Sequence, residues 1–108
     1  MRVKERQRYL RLCVHSSSAR LNPRSVFKQV EEWVERLYGR LGLSQASLSL
    51  ASESPLVVKC SHRCVDMVRA AVAMIDEVDG LECMVHVEAV SGTLRKILRG
   101  STAPAQAL

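Results

Sequence analysis

Cys60, His62 and Cys64 stand at alternate positions in the middle of the chain, the densest grouping of soft donor side chains in the sequence. Thiolates and imidazoles are the ligands of structural zinc, but such sites pair two ligands two to four residues apart with a second pair elsewhere. Here the other donors, Cys13, His15, Cys83 and His86, come from separate segments. That spacing favours four structural thiols, packed as small hydrophobes, over a metal site or a disulfide framework. An acid–base pair of His15 and His86 lacks a nucleophile placed with it. Catalysis by this chain alone is therefore not expected, and no bound cofactor or metal is expected on the protein.

The chemistry that remains is cationic. Sixteen Lys and Arg against eleven Asp and Glu leave a formal charge of +5, with a pI of 9.4. The charge is concentrated in Arg2, Lys4, Arg6, Arg8 and Arg11 at the start and in Arg95, Lys96 and Arg99 near the end, with Lys59 and Arg63 between them. Within Ser91-Gly92-Thr93-Leu94, Gly92 lets backbone approach a ligand and Thr93 can cap a helical turn. With Arg95 and Lys96 behind it, that turn suits a phosphate. A strand exit followed by a solvated basic helix accounts for the same residues equally well. Only 4% of residues are aromatic, so nucleic-acid binding would rest on charge rather than on stacked bases.

The elements that would position these residues follow from periodicity. Residues 7 to 15 alternate, with Leu10, Leu12 and Val14 on one side and Arg11, Cys13 and His15 on the other, the pattern of a strand with one core face. Asn22-Pro23 opens a helix, with Asn as N-cap and Pro at the first helical position. Its apolar stripe runs from Val26 to Leu41, and Gly42 is expected to end it. Residues 45 to 51 and 56 to 60 read as a hairpin across Ser52-Glu53-Ser54-Pro55. Ser61 is the expected N-cap of a second helix, whose buried seam is Cys64, Val65, Val68, Ala71, Val72 and Ile75, with Gly80 as its C′ residue. A last strand is expected over 82 to 90, with Cys83, Val85, Val87 and Ala89 on one side and Met84, His86 and Glu88 on the other. Thr93 caps a short basic helix, Leu94 to Arg99, stopped by Gly100.

The order β-α-β-β-α-β defines an α+β, ferredoxin-like sandwich: a four-stranded antiparallel sheet with two helices on one face and a short C-terminal helix. The expected organisation is a basic arm over 1–6, one domain over 7–100 and a disordered tail over 101–108. No apolar run is long enough to span a bilayer, and charges occupy the place of a signal-peptide core, so an intracellular protein without a membrane partner is expected.

Three stretches in the same order resemble a known family. They are Val3-Lys4 with Arg8-Tyr9-Leu10 and Leu12-Cys13, Val57-Val58-Lys59-Cys60 leading through Arg63 into Val68-Arg69-Ala70-Ala71, and Val90-Ser91-Gly92-Thr93-Leu94-Arg95. Together they look like the small ferredoxin-like protein subunit shared by ribonuclease P and ribonuclease MRP, the fifth processing-of-precursor-RNAs protein. The resemblance implies a non-catalytic subunit that supports a catalytic RNA, whose Mg²⁺-dependent cleavage removes the 5′ leader of precursor tRNA; the MRP particle also acts on ribosomal RNA precursors. It further implies a TIM-barrel-like protein partner, other ribonuclease P proteins, and a nuclear or nucleolar location in a eukaryote or a cytoplasmic one in an archaeon. The family's extended arm maps onto Arg2, Lys4, Arg6 and Arg8, with the Gly92 to Arg95 turn beside it. A protein-interaction module of the same fold, with incidental positive charge, is the alternative from a different class. The salt dependence of RNA binding separates the two.

Overall fold

The computed structural model describes residues 6–16 and 20–99. The expected arm residues 1–5, the end of the helix at Gly100 and the expected tail 101–108 lie outside the described residues. The elements in chain order are β1 (Gln7–Ser16), α1 (Pro23–Ala46), β2 (Ser49–Glu53), β3 (Leu56–Ser61), a 3₁₀ turn (His62–Cys64), α2 (Val65–Ala73), β4 (Glu77–Val78), β5 (Leu81–Ser91) and α3 (Leu94–Arg99). The strands form one antiparallel sheet in the order β2-β3-β1-β5-β4. The sheet therefore has five strands rather than the expected four. The other four strands and the two longer helices keep the split βαβ order.

α1 and α2 pack on each other over the same sheet face. Val26, Val30 and Val34 of α1 and Val68, Ala71 and Val72 of α2 close a core with Leu10, Leu12, Val58, Cys60 and Val85. Fully burying side chains of this size stabilises the fold by about 1.5–3 kcal/mol each, which is what holds two helices to the sheet. α3 packs instead against β1 and β5. Its Ile97 is buried, as is Val57 of β3, and both stand outside the main core.

Three expectations are corrected. α1 starts as predicted, with the Asn22 side-chain oxygen accepting the Arg24 N–H at 2.9 Å. It does not end at Gly42. The helical run is interrupted at Gly39, whose φ of 79° glycine adopts without steric cost, and resumes to Ala46. This second piece takes Ala46 from the predicted strand and moves β2 to Ser49–Glu53. Secondly, α2 stops at Ala73, and Gly80 is not its C′ residue. Asp79 and Gly80, both at positive φ, form the tight turn that joins β4 to β5. Asp-Gly is the dipeptide such a turn selects, and this hairpin is the source of the fifth strand. Thirdly, the alternation of β5 does not run unbroken to Ala89. Arg11 pairs with Ala89 but Leu12 with Val87, leaving Glu88 as an extra residue. The bulge switches the pleat: Val90 opposite Leu10 packs on the core, and Ala89 is exposed.

Candidate nucleic-acid interface

Because β1 runs antiparallel to both β3 and β5, its start meets their ends. Gln7 lies opposite Ser61, and Tyr9 lies between Lys59 and Ser91. The Arg6 carbonyl accepts the His62 N–H at 3.0 Å, which ties the entry of β1 to the 3₁₀ turn carrying Arg63. Ser61 caps that turn as expected, its hydroxyl accepting the Arg63 N–H at 3.4 Å. Arg8 Nη1 donates to the Gln7 carbonyl at 2.9 Å, and its guanidinium lies against Gly92. One end of the sheet thus gathers Arg6, Arg8, Arg63, Gly92 and Thr93 from three segments far apart in the chain.

The turn that follows β5 is held by short-range bonds. The Thr93 N–H donates to the Ser91 hydroxyl at 3.2 Å, and the Thr93 hydroxyl accepts the Lys96 N–H at 3.2 Å. Thr93 is thereby the cap of α3, and Arg95, Lys96 and Arg99 are exposed along it. Arg99 is the last residue of α3, more than one helical turn along the chain from Thr93. Lys59 is half-buried on the outer sheet face.

Arg11 is placed differently. Its Nε is 2.6 Å from Glu88 Oε2, its side chain is 16% exposed, and Nη1 is buried without a hydrogen-bond partner among the described residues. The ion pair spans β1 and the β5 bulge, so this arginine is committed to the sheet. Other pairs, Arg24–Glu53, Arg36–Glu32 and Arg40–Glu35, neutralise cations on α1. Arg2 and Lys4 lie outside the described residues.

The cysteines are free thiols, with Cys60 and Cys64 buried. Burial, reinforced by the neighbouring Cys64, pushes the Cys60 thiol up to about 11. Burial and the Glu88 carboxylate beside it also push the Cys13 thiol up. At the end of the sheet opposite the basic group, Cys13, His15 and His86 converge on the outer face. Their alternation on that face was legible in the sequence, but the register that sets His86 opposite Cys13 was not.

Fold and surface define a small α+β domain whose clustered functional side chains are cations and glycine-turn backbone at one sheet end. The chain belongs to the Rpp14/Pop5 family, whose model matches residues 8–100. No curated protein matches it in sequence. Among solved structures, a chain in the cryo-EM structure of yeast ribonuclease MRP has the same fold, with a TM-score of 0.65 at 13% identity over 94% of this chain and 95% of that one.

Proposed function

We propose that this protein is a non-catalytic subunit of a ribonuclease P/MRP ribonucleoprotein, and that its basic sheet end binds and stabilises the catalytic RNA. The observation that carries the reading is the convergence of Arg6, Arg8 and Arg63 with the Gly92–Thr93 turn in a chain of the Rpp14/Pop5 family. Cations held at one edge by strand pairing present a prepared surface to phosphates, whereas scattered surface lysines do not. Arg95 and Lys96 extend this surface along α3, and Arg2 and Lys4, which precede β1 in the sequence, are further cations proposed for the RNA. The RNA carries the cleavage that removes the 5′ leader from precursor tRNA and holds the Mg²⁺ for it. Ribosomal RNA processing belongs to the MRP form. The proposed protein partners are a TIM-barrel-like subunit and further ribonuclease P proteins, in the nucleolus of a eukaryote or the cytoplasm of an archaeon.

A second reading, a protein-interaction module, is favoured by one observation. Leu37, Tyr38 and Leu41 of α1 and Met74 after α2 are exposed, Leu41 by 71%. Such a face suits a protein partner. The deciding experiment recovers the protein from its native cell at mild salt and sequences the RNA bound to it. Enrichment of a structured RNA that cleaves precursor tRNA supports the scaffold reading; recovery of proteins with no such RNA overturns it.

A further inference from the structure

We propose that Cys13, His15 and His86 form a binding site for a late transition-metal ion, Zn²⁺ in the first instance, on the outer face of the sheet. Cys13 and His15 are two residues apart on β1 and share a face, and His86 is the direct cross-strand partner of Cys13 on β5. The two segments that looked unrelated in the sequence are adjacent strands, and their pairing fixes all three backbone positions.

The geometry matches the ion. Cys13 Sγ and His15 Nε2 are 3.4 Å apart. A tetrahedral zinc with sulfur at about 2.3 Å and nitrogen at about 2.0 Å sets those atoms about 3.5 Å apart. Donor atoms of all three residues lie within 4.8 Å of one another. The imidazoles of His15 and His86 are stacked, with centroids 5.3 Å apart and planes inclined by 14°. Both rings are exposed, so a modest side-chain rotation of His86 completes a three-ligand face without moving the strands.

Donor type selects the metal. One thiolate with two imidazoles is a borderline-soft set that suits zinc, whereas Mg²⁺ and Ca²⁺ take oxygen ligands. Water fills the fourth position. On binding, the Cys13 thiol gives its proton to solvent, and each imidazole donates the lone pair of an unprotonated nitrogen. The Glu88 carboxylate beside Cys13 opposes the thiolate, and Arg11, paired with Glu88 at 2.6 Å, acts the other way on the same thiol. The ion clips β1 to β5 at the sheet end away from the basic group, so it does not compete with RNA there.

The test titrates the full chain, reduced and metal-free, with Co²⁺ as the spectroscopic stand-in for zinc. One equivalent should produce a thiolate-to-cobalt charge-transfer band with intense tetrahedral d–d bands, and Zn²⁺ should displace it. Cys13→Ser should abolish the charge-transfer band, and His86→Gln should weaken Co²⁺ binding more than about tenfold. Cys83→Ser, a thiol on the core side of β5, should change neither. Far-UV circular dichroism confirms that each variant is folded, and His15→Gln provides a second exposed ligand change. Absence of the charge-transfer band, or its survival in Cys13→Ser, overturns the proposal.

Discussion

The Arg8 guanidinium lies directly over Gly92: a Cβ placed on that glycine would sit 3.5 Å from Arg8 Nη1. The first strand and the turn after the last strand, at opposite ends of the sequence, thus share one surface.

This proximity predicts a coupling. Gly92→Val crowds the guanidinium, the flexible end of its side chain, so folding stability should change by less than about 0.5 kcal/mol. RNA affinity should fall in Gly92→Val and in Arg8→Gln, and the double variant should lose less than the sum of the two. A double-mutant cycle on RNA binding measures this; strict additivity would separate Arg8 from the turn.

Arg8 and Arg11 are predicted to separate by salt dependence. Arg8→Gln should reduce the slope of log affinity against log salt by about 0.7–0.9, the contribution of one neutralised phosphate. Arg11→Ala should leave the slope unchanged, since Arg11 is paired with Glu88. Its effect should appear in urea denaturation instead, as a loss of about 1–3 kcal/mol from an ion pair broken on one side. A slope change in Arg11→Ala would place that residue on the RNA.

Two glycines of α1 should respond differently to alanine. At Gly42 helix propensity alone predicts a gain of about 1 kcal/mol, but the added Cβ would lie 2.5 Å from the Tyr38 Cβ. Gly42→Ala should therefore destabilise. Gly39→Ala meets no atom within 4 Å, and its cost comes from φ of 79° with ψ of 177°, a region essentially reserved to glycine, about 1–3 kcal/mol. Thermal melts of both variants check the signs, and a stabilised Gly42→Ala would show that α1 reorganises around Tyr38.

Alkaline pH should weaken the fold through Cys60. Its folded pKa is raised from 9.0 to about 11, so the folded state keeps a proton that the unfolded chain releases. The stability linked to this difference is fully present below pH 9 and is lost as pH rises towards about 11, on the order of 2 kcal/mol. Urea midpoints across that range should fall more steeply for the parent than for Cys60→Ala. Equal slopes would mean that the thiol titrates alike in both states.

Sequence alone determined the elements whose signals are local. Alternation set β1, Asn22-Pro23 set the start of α1, Ser61 marked the 3₁₀ entry to α2 and Thr93 marked α3, because caps and pleats are written in neighbouring residues. The cationic residues and the Gly92 turn were legible for the same reason. Tertiary structure alone decided where these residues meet. Arg8 reaches Gly92, Arg11 is committed to Glu88, and Cys13 stands opposite His86 through antiparallel pairing and a bulge at Glu88. Register is a relation between distant segments, and a one-residue slip inverts every side chain beyond it, so no single stretch of sequence carries it. Local periodicity misassigned Gly80 and Gly42 because a glycine marks a backbone need without naming it. Packing made the first a hairpin turn and buried the second in a helix against Tyr38.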